Sequence, residues 1–286
     1  MNIQLVRKKI KSFGNVKKIT RAMQMVSAVK MRKTQEAALE ATAYQEAVTA
    51  MIARVAGGLN EATSALLSNP KGKSSRDLAI VISTNKGLCG AFNVNLFRMI
   101  FKSVDLKDTD FVTVGKKGTT FIARTGGRVI ADFTSNQPLT EASALFTLVL
   151  SKFLSGEYKS ISIYYNKLIS TVRSEPDHAQ LLPIKINLES PEIERKVKGE
   201  YILEPASSVL IDELLKSYIE ERIRFILLQS EAGEHAARMI AMKNATDSAT
   251  DLIFNLTLLR NKLRQEKITY ELLDMISAKE SVENLS

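Results

Sequence analysis

The chain has 286 residues and a net charge of +9, from 40 Lys and Arg against 31 Asp and Glu. One cysteine and two histidines exclude an internal disulfide framework and any metal site built from several of these residues. Hydrophobic residues make up 45% of the sequence, which suffices for a folded core in one or two domains. No apolar run reaches the roughly 18 residues that span a bilayer, and the N-terminus does not resemble a signal peptide. We therefore expect the chain to remain in a reducing cytosol.

The positive charge is concentrated near the N-terminus. Residues 1–58 contain 11 Lys and Arg against 3 Asp and Glu, whereas residues 206–286 contain 10 against 13. All six prolines lie between Pro70 and Pro205. Together these distributions predict an N-terminal segment (1–58), a middle domain (59–205) and a C-terminal segment (206–286).

The N-terminal segment predicts one long helix from residue 2 to about residue 56. It contains no proline, and Val16, Ile19, Met23 and Val26 recur three and four residues apart, as on one face of a helix. At 1.5 Å per residue this helix would be ~80 Å long. Because a compact domain of this size cannot cover such a length, we expect much of it to project or to contact a partner.

The C-terminal segment predicts a second long helix, from Pro205 almost to the end of the chain. Ala and Leu recur in it at an alternating spacing of four and three residues, the pattern of a coiled-coil seam. The repeated positions are Ala245, Ala249, Leu252, Leu256, Leu259 and Leu263. Two long helices on either side of a compact insert predict an antiparallel two-helix coiled coil.

The middle segment predicts an inserted, Rossmann-like α/β domain. Candidate strands alternate with candidate helices, which is typical of a mostly parallel sheet, here with room for an antiparallel edge. The predicted strands are 78–84, 111–114, 128–133, 160–165 and a piece ending at 181–184, and the predicted helices are 91–104 and 141–154.

The loop at 83–93, STNKGLCGAFN, follows a predicted strand and opens a predicted helix, which is a common place for phosphate binding. It matches neither a Walker A loop nor GxGxxG, so a tight turn is favoured over a nucleotide site. Cys89 in this loop has no general base near it in sequence and is predicted to be a small packed residue. We expect His178 in a solvated polar turn and His235 at the surface or seam of the last helix.

Ten basic residues precede Glu36, the first acidic residue. A helix of this kind can bind nucleic acid, but Phe13 is the only aromatic residue before Glu36, and no nucleic-acid-binding motif is visible. The helix could instead face acidic protein surfaces, where charge guides assembly, or present a solvated face. Composition leaves these three readings open.

Long motifs lie near both ends of the chain: KKITRAMQMVSAVKMRK (17–33), EHAARMIAMKNATDSA (234–249) and LTLLRNKLRQEKIT (256–269). Shorter ones, GLCGAFN (87–93) and LLP (181–183), lie between them. In these motifs and their order the sequence resembles the gamma-subunit family of rotary F-type ATP synthases. The resemblance implies an antiparallel coiled coil of the two terminal helices, with an α/β domain at its foot.

The resemblance extends from residue 3 to about residue 278 and implies a central-stalk rotor subunit. Such a subunit couples ion flow across the membrane to ATP synthesis and hydrolysis, with no catalytic residue, cofactor or metal of its own. The implied partners are the alpha and beta subunits of the catalytic hexamer, the epsilon subunit and the membrane ring of c subunits, without membrane insertion or nucleic acid. The implied location is the cytoplasmic face of the bacterial plasma membrane. The alternative function is a basic coiled-coil protein that binds nucleic acid.

The resemblance also implies contacts with the beta subunit. Arg264 and Gln265 match an Arg-Gln pair that contacts a loop of that subunit in the family. Lys30, Arg32 and Lys33 match basic shaft residues that lie near an acidic surface of the beta subunit.

Further matches concern the foot and the seam. Tyr201 and Glu204 match the segment that meets the polar loops of the rotor ring. Met23, with Ala22 and Val26, matches a closely packed segment that faces the C-terminal helix motif Arg238–Met242. For the two methionines, packing in the seam is a sufficient alternative explanation.

Overall fold

Two very long helices begin and end the chain in this computed structural model, which describes residues 2–56, 64–68, 75–135, 138–171, 173–185 and 207–283. Helix α1 (Ile3–Ala56) and helix α5 (Ser207–Glu283) have 54 and 77 residues. Between them in sequence lie β1 (Asp77–Ile82), α2 (Phe92–Ser103), β2 (Thr109–Val114), α3 (Lys116–Arg124), β3 (Arg128–Phe133), a 3-10 turn (Pro138–Glu141), α4 (Ala142–Leu154), β4 (Ser160–Ser170) and β5 (Arg173–Leu182). The two predicted long helices are confirmed.

The five strands form one sheet in the order β3-β2-β1-β4-β5. Strands β1 to β4 are parallel, and β5 joins the edge antiparallel to β4. Strand β1 is central and its sequence DLAIVI is almost wholly buried, because a parallel strand covered on both faces needs apolar side chains throughout. The predicted mostly parallel sheet with an antiparallel edge is confirmed.

Helices cover both faces of the sheet. One face packs against α2 and α3, and the other packs against α4 and against parts of α1 and α5. The first of these cores contains Leu96, Ile100 and Ile122. The second contains Val48 and Ile52 of α1, Leu145 and Val149 of α4, and Ile211, Leu215 and Ile219 of α5. Because β1 and β2 are parallel neighbours, the loop at 83–93 and the start of α3 leave the sheet at the same edge.

The chain divides into two compact units, which we call the first and second units. The first consists of Met1–Val26 and Met239–Ser286, and the second of Ser27–Arg238. The first unit therefore contains the beginning of α1 and the end of α5. The second contains the α/β sheet with the remaining part of each long helix.

Helix α3 was not expected from the sequence KKGTTFIAR, whose Gly and β-branched residues have low helix propensity. Tertiary contacts stabilise it instead. Ile122 is buried against the sheet, and the ring of Phe121 stacks on Phe97 of α2 with ring centroids 4.3 Å apart. A nine-residue helix depends on such packing more than on propensity.

The turn predicted around His178 is wrong, because residues 174–178 belong to β5, although the side chain of His178 is exposed as expected. His178 lies opposite Tyr164 in the register of β4 and β5, and the two rings stack with centroids 5.7 Å apart. An edge strand with an exposed face can be polar and can include a proline, here Pro176, so apolar alternation does not mark it in the sequence.

Candidate functional site

The first unit has a seam between α1 and α5. Within it the hydroxyls of Thr20 and Thr246 are buried and lie 2.7 Å apart. Each hydroxyl also lies within hydrogen-bonding distance of a carbonyl in the preceding turn, that of Lys17 or Met242. The later part of α1 shares a core with the beginning of α5, whereas Thr20, in the first half of α1, meets Thr246 farther along α5. The two helices therefore run antiparallel.

Burial in the first unit follows a coiled-coil repeat. Covered side chains recur on both helices at an alternating spacing of four and three residues, as in a two-helix seam. On α1 the positions are Val6, Ile10, Phe13, Lys17, Thr20 and Gln24, and on α5 they are Met242, Thr246, Ala249, Ile253, Leu256, Arg260 and Leu263. The predicted antiparallel coiled coil of the terminal helices is confirmed.

The nine residues predicted for the seam differ in their burial. Met242 and Ala249 are buried, and five others are half-buried: Met23, Ala245, Leu256, Leu259 and Leu263. Val26 and Leu252 are 57% and 44% exposed, so these two side chains lie outside the buried stripe.

The exposure of Val26 on α1 has a simple geometric cause. The apolar stripe through Val16 and Ile19 precedes the covered positions Lys17, which is half-buried, and Thr20, which is buried, by one residue, or about 100° around a helix. At Lys17, Thr20 and Gln24 the seam uses polar side chains, and the neighbouring apolar stripe remains 41% exposed at Val16 and 59% at Ile19. A periodic pattern therefore predicts the spacing of a seam without determining which of two neighbouring stripes enters it.

The basic residues assigned to a beta-subunit contact lie on the exposed surface of α1 in the second unit. Lys30, Arg32 and Lys33 are all exposed. Arg32 pairs with Glu36 at 3.0 Å, but both side chains are mostly in solvent, so the pair adds little stability. The charge of this surface is available to a partner.

The last part of α5 is exposed throughout its described length from residue 264 to residue 279. Arg264 and Gln265 stand at its start, directly after Leu263, the last covered position of the seam. The exposed apolar residues that follow are Ile268, Tyr270, Leu272, Leu273, Met275 and Ile276. Tyr201 and Glu204, assigned to a rotor-ring contact, lie outside the described residues.

The loop at 83–93 is held by its own side chains. The amide of Thr84 donates to Asn93 Oδ1 at 3.2 Å, and Asn93 Nδ2 donates to Thr84 Oγ1 at 2.7 Å and to Cys89 Sγ at 3.5 Å. Cys89 is buried, as predicted for a packed residue, and burial is the main reason that the pKa of its thiol is raised. A raised pKa keeps the thiol protonated and disfavours a role as nucleophile.

The backbone amides that open α3 at this edge of the sheet are already satisfied. The first three amides of α3 donate to Asn85 Oδ1, to the carbonyl of Thr84 and to Ser83 Oγ. The loop in turn directs the carbonyls of Lys86 and Gly87 at a basic side chain, Arg238. Phosphate binding requires amides that point at the anion, so this geometry does not support a nucleotide site.

Arg238 connects α5 to this loop within the second unit. Arg238 is 9% exposed, and its guanidinium donates to Glu234 Oε1 at 2.6 Å and reaches the carbonyls of Lys86 and Gly87 at 3.4–3.5 Å. Sequence reasoning did not single out this pair, although Glu and Arg four residues apart on a helix are a usual signal for a side-chain pair.

His235 is buried beside Arg238, with its Nδ1 3.4 Å from Arg238 Nη1 and its Nε2 3.7 Å from Glu231 Oε1. It therefore does not lie at the surface. These residues line a cavity of about 150 Å³ at the carboxyl edge of the sheet, together with Lys30, Ser83, Asn85, Lys86 and Glu234.

Two further observations concern the described part of the chain. There, no group of three or more His, Cys, Asp and Glu side chains is arranged to hold a metal ion. Its helices also contain no stretch that combines the length and the apolar character needed to cross a bilayer.

Sequence comparison relates the whole chain to one family. The family model described as ATP synthase matches residues 2–282. The ATP synthase gamma chain of Legionella pneumophila (strain Corby) is 36% identical over 282 residues, covering 95% of this chain and 96% of the relative. That of Akkermansia muciniphila is 32% identical over 295 residues and covers 99% of both chains. That of Pelotomaculum thermopropionicum is 36% identical, covering 97% of this chain and 98% of the relative.

Solved structures share the fold. A chain of the Euglena gracilis mitochondrial ATP synthase (OSCP/F1/c-ring, rotational state 3) aligns with a TM-score of 0.70 at 20% identity, covering 98% of this chain and 94% of the other. A chain of the Tetrahymena thermophila mitochondrial ATP synthase (central stalk and c-ring) aligns with a TM-score of 0.59 at 22% identity, covering 79% and 99%. With a family match over almost its full length and relatives above 30% identity, this chain belongs to the ATP synthase gamma-chain family.

Proposed function

We propose that this chain is the central-stalk rotor subunit of an ATP synthase, coupling transmembrane ion flow to ATP synthesis and hydrolysis at an alpha/beta hexamer. The observation that carries the proposal is the pairing of two helices of 54 and 77 residues through an antiparallel seam, in a chain whose relatives are gamma chains. In this proposal residues 1–58 and 206–286 supply the shaft and residues 59–205 the foot.

The work of such a subunit is mechanical, and the chemistry takes place in the beta subunits. Rotation of a shaft can drive a catalytic site through successive conformations only if the shaft contacts each conformation differently. The surface of the first unit differs in chemical character from one side to another. It has an exposed apolar stripe through Val16, Ile19 and Val26, and exposed basic residues such as Arg7, Lys11 and Lys18 on other faces of α1. A shaft of this kind offers different surfaces to the subunits around it.

We assign the stator contacts to exposed residues of α1 and α5. Lys30, Arg32 and Lys33 would face an acidic surface of the beta subunit, and Arg264 and Gln265 would contact one of its loops. The exposure of all five side chains supports this assignment, since each is available to a partner.

The remaining contacts rest on the family relationship. We propose that Tyr201 and Glu204 meet the ring of c subunits and that the foot also binds the epsilon subunit. The chain would then be a peripheral subunit at the cytoplasmic face of the bacterial plasma membrane. Solved relatives include assemblies described as a rotor and as a central stalk with a c-ring.

Nucleic-acid binding, the alternative function, is not supported. Curated relatives that cover at least 95% of this chain are named ATP synthase gamma chain, and the basic helix belongs to the coiled coil of that family.

Reconstitution with the cognate alpha and beta subunits tests the proposal. The three chains together should form a complex with cooperative ATPase activity. The alpha and beta subunits without this chain should lack that cooperativity. Purification by size exclusion followed by ATPase assays would measure both. A chain that stays separate from the two subunits but binds DNA tightly at low salt would contradict the proposal.

A further inference from the structure

His235 is one of the two histidines of the chain, and it is buried among charged side chains at the carboxyl edge of the sheet. Its Nδ1 lies 3.4 Å from Arg238 Nη1, and its Nε2 lies 3.7 Å from Glu231 Oε1. Histidine is the side chain type whose charge changes nearest to physiological pH. A proton gained by this ring therefore acts directly on two charged neighbours.

The contact with Arg238 determines which ring nitrogen of His235 carries the proton. A guanidinium has only donors, so Nδ1 accepts from Arg238 Nη1, and the neutral ring carries its proton on Nε2, toward Glu231. A second proton can add only at Nδ1. There it would set donor against donor and positive charge beside positive charge at a distance of 3.4 Å. Protonation of His235 thus removes an acceptor from Arg238 and replaces it with a repulsive charge.

Arg238 also joins α5 to the loop at 83–93, through bonds of unequal length. Its Nε and Nη2 lie 3.4–3.5 Å from the carbonyls of Lys86 and Gly87, whereas its bond to Glu234 on its own helix measures 2.6 Å. Hydrogen bonds weaken as they lengthen beyond the usual range. Repulsion at Nη1 should therefore break the bonds to the loop before it breaks the bond to Glu234.

The charged and titratable groups around His235 come from two helices and the loop: Glu231, Glu234 and Arg238 on α5, Lys30 on α1, and Lys86 and Cys89 in the loop. The lysines and Arg238 oppose a positive charge on the ring, and Glu231 is close enough to pair with it. The adjoining cavity of about 150 Å³ has room for water to deliver a proton and for the guanidinium to move. A change of charge can therefore be followed by a change of position.

We propose that His235 and Arg238 form an acid-sensitive latch between α5 and the loop at 83–93. When His235 is neutral the latch is closed, because Nδ1 and the two loop carbonyls hold the guanidinium together. A proton from solvent binds Nδ1, the charged ring pairs with Glu231, and Arg238 remains with Glu234 and leaves the loop. The latch is a property of the chain itself and does not depend on the proposed function. In a rotor subunit it would make the connection between the foot and α5 weaker in acid.

Hydrogen exchange at residues 83–93 of the isolated full chain, at about pH 8 and about pH 5.5, tests the latch. Each exchange rate is divided by that of His235→Gln at the same pH, which cancels the pH dependence of exchange itself. Glutamine offers Arg238 a neutral acceptor at both pH values. The ratio should be near unity at the higher pH and rise at least about threefold at the lower pH. An equal ratio at both pH values would overturn the proposal.

His178→Gln is the matched control, because His178 is the other histidine and is exposed on β5. This variant should keep the wild-type response to pH, and loss of the response would overturn the assignment to His235. Strand β1, at the centre of the sheet, is the internal reference. Its exchange relative to His235→Gln should not change with pH, and a parallel rise in β1 and the loop would indicate general unfolding and overturn the latch.

Arg238→Gln gives a second test, which does not require that His235→Gln folds well. Without the guanidinium the loop is released at every pH. The exchange rate of the wild-type loop relative to Arg238→Gln should therefore be below about one-third at about pH 8 and approach unity at about pH 5.5. A relative rate that does not depend on pH would show that Arg238 does not carry the response, and it would overturn the latch.

Discussion

The hydroxyl of Thr20 on α1 lies 2.7 Å from the hydroxyl of Thr246 on α5, although 226 residues separate the two in sequence. Both side chains are buried in the seam of the first unit. A polar pair in a coiled-coil seam favours one register, because any slip of one helix would leave both hydroxyls buried without this partner. The pair therefore defines which parts of the two long helices lie side by side.

Replacing one threonine of this pair should lower the free energy of unfolding more than replacing both. Thr20→Val preserves the shape but leaves the hydroxyl of Thr246 without its partner on α1, which should lower the unfolding free energy by about 1 kcal/mol. The double variant Thr20→Val with Thr246→Val removes both polar groups and should recover most of that loss. Urea unfolding of the isolated chain measures the difference. A double variant that loses the sum of the two single losses would contradict a specific pairing.

Val26 and Leu256 should respond differently to a buried-charge test. Leu256→Asp places a carboxylate in the covered seam and should lower the unfolding free energy by about 2 kcal/mol. Val26→Asp affects a side chain that is 57% exposed and should change it by less than about 0.5 kcal/mol. Chemical denaturation of both variants provides the comparison, and an equal loss in both would mean that Val26 belongs to the seam.

Alkaline pH should destabilise the second unit through Tyr158. Burial, followed by the hydrogen bond from its hydroxyl to Asp110 at 2.9 Å, raises the pKa of Tyr158 to about 12. An unfolded tyrosine ionises near pH 10. The folded state therefore holds the proton more tightly, so this contribution to stability is complete below about pH 10 and is lost as the pH rises toward 12.

Tyr158→Phe provides the measurement of this effect. The variant should be less stable than the wild type at pH 8, because Asp110 loses a hydrogen bond. Between about pH 9.5 and about pH 11.5, however, its unfolding free energy should fall less steeply with pH than that of the wild type. Burial also raises the pKa values of Tyr164 and Tyr165, so the slope should decrease without disappearing. Identical slopes for variant and wild type would contradict the assignment.

The exposed pair at the end of the seam should matter for the assembled complex and not for folding. Replacing Arg264 and Gln265 by Ala should leave the Tm of the isolated chain unchanged, since both side chains are exposed. In the complex, loss of a contact worth about 1 kcal/mol should lower coupled ATPase activity about fivefold. Lys262→Ala, at an exposed neighbouring position, is the control. Activity equal to that of the wild type would argue against a beta-subunit contact at these positions.

Sequence reasoning predicted best where the signal is local. Absence of proline and a regular apolar spacing located α1 and α5, and apolar β-branched runs located β1 and β2. It was less successful where a local pattern has two solutions. The stripe through Ile19 has the spacing of a seam, yet the neighbouring stripe through Thr20 is the one that is covered.

The elements that sequence reasoning missed depend on distant contacts. Helix α3 has weak propensity and is stabilised by packing on α2 and the sheet. The end of β5 was predicted, but its first part, residues 173–178, is too polar to be recognised without its partner strand. The bonds from Arg238 to the loop at 83–93 join residues that are more than 150 positions apart. No local pattern encodes such a contact.

By itself, the sequence determined the extent of the two long helices, the α/β character of the middle segment and membership of the gamma-chain family, because periodicity, proline exclusion and long motifs are properties of neighbouring residues. Only the tertiary structure decided which stripe forms the seam, that Thr20 meets Thr246, and that Arg238 holds the loop under Leu88. These features arise when chain closure brings distant side chains together, and their free energies depend on burial and geometry that exist only in the folded state.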